Sequence, residues 1–483
     1  MKAYLVIFSL FGVLLQIETA YAEDNDELAT AARNLCEEKA YLEALKNHLT
    51  SAAAQKTEDA RTAASLARMW QIVANTAGTT EDKCLFLALS IYADKIAATN
   101  AAVAKTANSA VLAAAQAISE QIGLIDSVEV FAKLTFTLPG SFIAGTEATA
   151  RNFPLTKGTE GPALCNAVTD VKTIGAKNKE PAYEKLHTVK LTPRESLLSW
   201  LNGATTKITG LQSCNKLDGA AANYAANMGS CSYNSGGTVT TVINRATSTY
   251  AGTDKKLFST TRQAKTCTET KLTDSTNKDK TKDLMHLLCE ALKSIDAKTS
   301  NPKDLSGTTL ENDHDTLTII RNCNPQFQAI ADIGTGDETK TLKKYVNEAY
   351  GDDSAKFNEK FIKRLSQIKP TVRKDKTTDA TKSVEELAGT VDAAAAAAHA
   401  EGERIKREIE AEKKSKSATV DSKKAEDCQG EKDETKCNNK DGCEYKNGEC
   451  KAKEGVKAEN DGKKNTTGKV LLRLKPFFFL AEM

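Results

Sequence analysis

Between Glu23 and Leu138 the chain contains no proline and only two glycines, Gly78 and Gly123, while alanine and leucine recur at helical spacing throughout. Proline breaks the helical hydrogen-bond ladder and glycine costs about 1 kcal/mol in a helix interior, so a stretch this long without them reads as long helices. Gly78, near the middle, marks a turn. The expectation is a long antiparallel helical hairpin over residues 24–133. Each helix would hold roughly 50 residues and reach about 75 Å at ~1.5 Å per residue. A rod of that length more often holds things apart, or stands up from a surface, than catalyses.

The apolar pattern gives the hairpin a seam. Leu28, Leu35, Leu42 and Leu49 recur every seven residues, with Ala31, Leu45 and Ala52 three residues after three of them, as in a coiled coil. Past Thr50 small residues take over at Ala60, Ala63, Ala64, Ala67 and Ala74, with Trp70 among them. The second helix answers with Leu87, Ile91, Val103, Ala107, Ala110, Ala114, Ile118, Ile122 and Ile125. The competing reading, an ordinary core in a compact helical domain, is disfavoured by the length of the uninterrupted pattern.

Met1 to Ala22 joins an early Lys2 to an apolar run and ends in the small-residue site Ala20-Tyr21-Ala22, which fits a secretory signal cleaved after Ala22. Its apolar run is too short to span a bilayer, which takes about 20 residues. In an exported chain, twelve cysteines read as disulfides. Eight fall in a first group, Cys36, Cys84, Cys165, Cys214, Cys231, Cys267, Cys289 and Cys323, and four in a second, Cys428, Cys437, Cys443 and Cys450. The gap between the groups separates two domains, and eight cysteines alone allow 105 pairings. With 66 basic against 64 acidic side chains, mixed along the sequence, no one-sign field exists to collect nucleic acid.

From Pro139 to Asn324 the texture changes to short segments rich in glycine, threonine, serine and asparagine, so a small disulfide-rich α+β cap is expected on one end of the hairpin. Leu134 to Leu138 alternates like a short strand, and Thr238 to Ile243 is a β-branched run after the turn residues Ser235-Gly236-Gly237. Helices return at Leu284–Ile295, Leu342–Tyr350 and Phe357–Ile368, where Phe357, Phe361, Leu365 and Ile368 share a face that should pack on the hairpin. Residues 371–427 read as a spacer: a hinge, a capping box at Ser383-Val-Glu-Glu386, a polar helix to about Lys414 with Glu403–Arg407 and Glu410–Lys414 four apart, and a flexible linker from Lys413 to Asp427.

Candidate chemistry is thin. His48, His187, His286, His314 and His399 lie far apart, with no nucleophile elbow, phosphate loop or zinc-protease motif around them. Asn312-Asp-His314-Asp315 reads as an acidic turn, and His286 beside Leu287 and Leu288 as a partly buried core imidazole. No enzyme, cofactor or metal is expected. Cys428, Cys437 and Cys443 have the spacing of a CCCH zinc finger, but the fourth ligand position holds Asn447 and the next sulfur waits until Cys450. A module of about 25 residues has too little core to fold unaided, so two disulfides are the expected solution. Asp441-Gly442 and Asn447-Gly448 supply tight turns.

The ordered set of signal sequence, alanine-rich hairpin, cysteine-pinned loops, charged spacer, the module Lys-Asp-Glu-Thr-Lys-Cys437 … Asp-Gly-Cys443-Glu-Tyr-Lys-Asn-Gly-Glu-Cys450, and Asn465-Thr-Thr-Gly468 resembles the trypanosome variant surface glycoproteins. Cys36 and Cys165 resemble the pair that ties the first helix to the loops in type A members, while Cys84 departs from the simplest type A arrangement. The resemblance implies an N-terminal surface domain over 23–370, a cysteine-rich C-terminal domain over 428–452 and a processed tail over 453–483. It implies a glycolipid-anchored, cell-surface coat glycoprotein, a homodimer through the hairpin, that shields the membrane, faces host antibodies and takes part in antigenic variation and immune evasion. Ser235 to Thr238 and the neighbouring threonine-rich segments are the candidates for the antibody-facing surface. Asn465, in the chain's only Asn-x-Ser/Thr sequon, is the candidate for glycosylation or lipid-anchor attachment. The tail is a weak anchor signal, because Arg473, Lys475 and Glu482 interrupt it and leave only Phe477 to Ala481 as a clean apolar run, and failure of the signal would give secretion. The alternative is an anchored helical surface receptor for a host macromolecule, which would retain a defined ligand.

Overall fold

A computed structural model describes residues 25–137, 143–144, 151–152, 155–200, 203–214, 229–244, 250–272, 279–334, 336–373, 375, 379–428, 431–440 and 443–452. The fold is mainly α, with small strand pairs and disulfides. Helix α1 spans Leu35–Thr76 and helix α2 spans Thr80–Lys133. The lengths of 42 and 54 residues correspond to roughly 63 and 81 Å at ~1.5 Å per residue. They run antiparallel, as a ladder of cross-contacts shows: Lys39 Nζ to Asp126 Oδ1 at 2.6 Å, Lys46 to Ser119 at 3.5 Å and Asn108 Nδ2 to Thr57 Oγ1 at 3.1 Å. The turn is short, and Thr79 caps α2 by accepting the Asp82 N–H at 3.1 Å.

The seam on α2 is a strict 4,3 alternation of buried positions: Ala93, Ala97, Asn100, Ala104, Ala107, Val111, Ala114 and Ile118. Small residues dominate it, so the two backbones can approach closely. Ile91, expected in the seam, is 43% exposed, and Val103 and Ala110 are only half-buried, because the register is set by the alanines and not by the larger side chains. On α1, Leu42, Leu45, Leu49 and Ala53 are buried at one end, and Ala63, Leu66, Ala67 and Trp70 at the other.

Helix α1 starts at Leu35, later than the start near residue 24 suggested by the leucine spacing. Asn34 stops the helix there by accepting the Glu37 N–H at 2.9 Å. Residues before it form a turn in which Asp26 accepts the Leu28 N–H and the buried Tyr41 hydroxyl. Leu28 is still buried, but from a turn.

The chain divides into two compact units at Ala396/Ala397. In the first, one core lies at the open end of the hairpin and joins Leu42, Leu45 and Leu49 to Ile118 and to Leu284, Leu288 and Leu292 of the helix Lys280–Ile295. A second core lies at the turn end, where Trp70, Phe86 and Leu89 meet Leu342, Val346 and Tyr350 of the helix Asp337–Tyr350. Phe357, Phe361 and Leu365 bury there too, although the expected continuous helix is divided into an α, a π and a 3-10 turn. Trp70 Nε1 donates to the Phe361 carbonyl at 2.9 Å, Tyr350 Oη to Leu85 O at 2.7 Å, and Phe86 meets Phe361 edge-on. Between the cores the seam turns polar at Asn100, which is 1% exposed.

Residues 371–396, read from the sequence as spacer, belong by packing to the first unit: Val372, Val384, Leu387 and Ala396 are buried in the turn-end core. The capping box is present, with Glu386 N to Ser383 Oγ at 3.2 Å and Ser383 N to Glu386 Oε2 at 2.8 Å. It opens only the single turn Val384–Leu387, which Gly389 at φ +84° ends. A separate helix, Val391–Cys428, follows and continues through 413–427, where a flexible linker was expected. Residues 413–427 have no proline or glycine and hold five lysines, so helix propensity prevails over their lack of an apolar stripe. The pairs Arg404–Glu401 and Arg404–Glu408 support the helix. In the second unit, the strands Cys443–Lys446 and Glu449–Ala452 form a hairpin through Asn447 and Gly448, both at positive φ.

Candidate functional surface

The residues proposed to face outward lie among strand pairs grouped at the open end of the hairpin. In chain order these are β1 (Phe136–Thr137), β2 (Ile143–Ala144), β3 (Arg151–Asn152), β4 (Thr156–Lys157), β5 (Thr188–Leu191), β6 (Ala204–Ile208), β7 (Leu211–Gln212), β8 (Ser232–Tyr233), β9 (Val239–Ile243) and β10 (Thr253–Lys256). Each pairs with one antiparallel partner. The longest pair, β6 with β9, runs in register from Ala204↔Ile243 to Ile208↔Val239. Its exposed face is threonine-rich: the Thr206 and Thr241 hydroxyls lie 3.0 Å apart, and those of Thr209 and Thr238 lie 2.6 Å apart.

Ser235 to Thr238 satisfy their own turn. Gly237 N donates to Asn234 O at 2.8 Å, Gly236 N to Asn234 Oδ1 at 3.2 Å and Thr238 N to Thr209 Oγ1 at 2.9 Å. Ser235 and Thr238 are exposed, so their side chains can change without disturbing a core, whereas a Cβ on Gly237 would collide with the Thr209 carbonyl and the Tyr233 ring. The bridge Cys214–Cys231 closes the base of this segment.

Three devices fasten the loop region to the helices. The first is covalent: Cys36 bonds to Cys165 and Cys267 to Cys289, while Cys84–Cys323 ties α2 to the helix His314–Cys323 at the turn end. The second is the buried carboxylate of Glu38. It accepts Thr192 N at 2.9 Å, Thr192 Oγ1 at 2.6 Å, Tyr250 Oη at 2.7 Å and Gln121 Nε2 at 3.3 Å. Burial raises its pKa and these donors oppose the rise. The third is Arg262, 4% exposed, which holds Asp296 through Nη2 at 2.7 Å and Nε at 2.8 Å and also donates to the Tyr183 and Leu186 carbonyls. None of Glu38, Gln121, Thr192, Tyr250 or Arg262 carries a local sequence signal, since their partners lie far away in the chain.

The histidines are dispersed in space as in sequence. His48 stacks on Tyr183 at 4.4 Å, His187 Nδ1 meets Thr188 Oγ1 at 2.9 Å, and His286 Nδ1 meets Glu269 O at 3.0 Å. In the acidic turn, Asp313 caps the helix His314–Cys323 through the Thr316 N–H at 2.8 Å, and Asp315 pairs with Lys95 at 2.8 Å. His399 lies on the helix Val391–Cys428. Cys267, His286 and Glu290 converge within 4.8 Å, and so do Cys428, Cys443 and Cys450. Every sulfur in both groups is consumed in a disulfide, including Cys428–Cys443 and Cys437–Cys450, so no thiolate is offered to a metal. Ala22 and Asn465 lie outside the described residues. Among the described residues, no helix is long and apolar enough to cross a membrane.

No protein-family profile and no curated protein matches the chain. Solved structures do. A variant surface glycoprotein, VSGsur, bound to suramin, is similar with a TM-score of 0.56 at 15% identity, covering 78% of this chain and all of that one. The structure of VSGsur without that ligand gives 0.53 at 15% identity over the same shares. The chain therefore has the fold of those glycoproteins.

Proposed function

We propose that the chain is a variant surface glycoprotein: an exported, non-catalytic coat protein that shields a parasite membrane and is exchanged to escape host antibodies. The observation that carries this reading is the polarity of the first unit. The threonine-rich, solvent-exposed strand pairs are fastened at the open end of α1 and α2 by Cys36–Cys165, whereas the chain leaves the unit at the turn end, where Val384, Leu387 and Ala396 are buried. A coat needs this arrangement, with replaceable loops at one pole and the route to the membrane at the other. The shared fold supports the same reading.

On this reading Met1–Ala22 is removed, the tail is processed at Asn465 to a glycosylphosphatidylinositol anchor, and two copies associate along the hairpin. Antibodies raised to intact cells should map to the region 136–256. Recognition confined to residues 428–452 would overturn the proposal. Phospholipase should release the protein from intact cells, and a membrane-bound pool resistant to it would rule out the anchor while leaving the coat role standing.

A further inference from the structure

Beside the Cys36–Cys165 bridge the first unit has a cavity of about 610 Å³, within the range of small-molecule sites. Its apolar side is the open flank of a small cluster in which Leu35 is buried and Leu164, Trp200 and Tyr250 are half-buried. The Tyr250 ring is fixed, because its hydroxyl is tethered to Glu38 at 2.7 Å. Arg33 and Lys190 supply the charge, and among the described residues no carboxylate lines the cavity.

Both cations retain capacity. Glu37 engages the Nε and Nη2 atoms of Arg33, at 3.5 and 2.8 Å, and Nη1 takes no part in that pair. Lys190 Nζ reaches the Ala32 carbonyl at 3.3 Å and lies 3.9 Å from Asp254, both long contacts that a better acceptor can replace. A lining that combines two aromatic side chains with two incompletely used cations suits a ligand that has a flat ring and an anionic end.

We propose that this cavity is a binding site for small aromatic carboxylates, with the ring against Trp200 and Tyr250 and the carboxylate on Lys190 and Arg33. The site is independent of the coat reading. A soluble chain secreted without an anchor would possess it equally.

The chain's two tryptophans make the test site-specific. Full-length protein labelled with 5-fluorotryptophan gives one ¹⁹F resonance from Trp200 and one from Trp70, which is buried in the turn-end core. Titration with naphthalene-2-carboxylate should shift the Trp200 resonance saturably and leave that of Trp70 in place. Lys190→Gln, and separately the neutral probe naphthalene-2-carboxamide, should each weaken binding by about tenfold, the effect of losing one charge-assisted hydrogen bond. The proposal is overturned if no shift occurs up to about 10 mM probe, a concentration that would saturate even a millimolar site. It is equally overturned if the carboxamide binds as well as the carboxylate, or if both resonances move together.

Discussion

Asn100 and Ser300 grip each other in both directions: the Asn100 Nδ2 donates to the Ser300 carbonyl at 2.8 Å, and the Ser300 N–H donates to Asn100 Oδ1 at 3.1 Å. This amide is the polar member of an otherwise small, apolar seam, and it fixes the segment crossing from one core to the other. Thr299 adds a hydrogen bond to Asp59 on α1. Asn100→Ala should therefore strand two backbone groups and lower stability by about 1–3 kcal/mol, read from denaturant unfolding. A loss below about 0.5 kcal/mol would mean that water replaces the side chain at little expense.

The alanine seam has its own signature. Ala107 is fully buried between α1 and α2, whereas Ala101 faces solvent on the same helix. Ala107→Leu should force the helices apart and cost about 1–3 kcal/mol, while Ala101→Leu should stay within about 0.5 kcal/mol of the parent. Equal melting temperatures for the two variants would refute close helix approach at this position.

Acid should loosen the contact between α1 and the segment at Tyr183. His48 is half-buried against the Tyr183 ring; burial, then the Arg262 charge, lowers its pKa, with Glu184 and Asp296 opposing. A lowered histidine pKa means the unfolded chain binds the proton more tightly. This contribution is complete above the ordinary histidine value near 6.5 and is lost as pH falls through the lower folded value. His48→Phe keeps a ring against Tyr183 and removes the proton. The fall in melting temperature between about pH 7.5 and pH 5 should be shallower in the variant, and identical slopes would exclude His48 as a contributor.

The Cys84–Cys323 bridge spans 239 residues of sequence, so it removes much freedom from the unfolded chain. Replacing both cysteines by serine should lower stability by up to about 5 kcal/mol on chain-entropy grounds. Protease cleavage should then appear first near the hairpin turn, monitored by mass spectrometry of early fragments. Early cuts only within 136–256 would show that the bridge does little for the turn end.

The hairpin was legible because its evidence is negative and local: a helix cannot tolerate proline, and none occurs between Glu23 and Leu138. The strand at Val239–Ile243 and the capping box at Ser383 were likewise written in neighbouring residues. The start of α1 was not, because Leu28 continues the seven-residue spacing while Asp26 and Asn34 hold it in a turn. Nor was the helix through residues 413–427, where polarity suggested a linker but helix propensity decides. The Glu38 cluster and the cavity near Trp200 were out of reach for a different reason. Their members, such as Glu38 with Tyr250 or Arg33 with Lys190, meet only once the chain has folded back over many residues.

Two separate apolar cores on one pair of helices, with a polar waist between them, make the first unit tolerant of injury. A nick or an overpacked side chain at one pole need not melt the other, since little apolar contact crosses the middle to transmit the failure. Sequence drift at the strand-bearing pole is thereby insulated from the stretch that carries the chain onward, and each pole can accumulate substitutions on its own schedule.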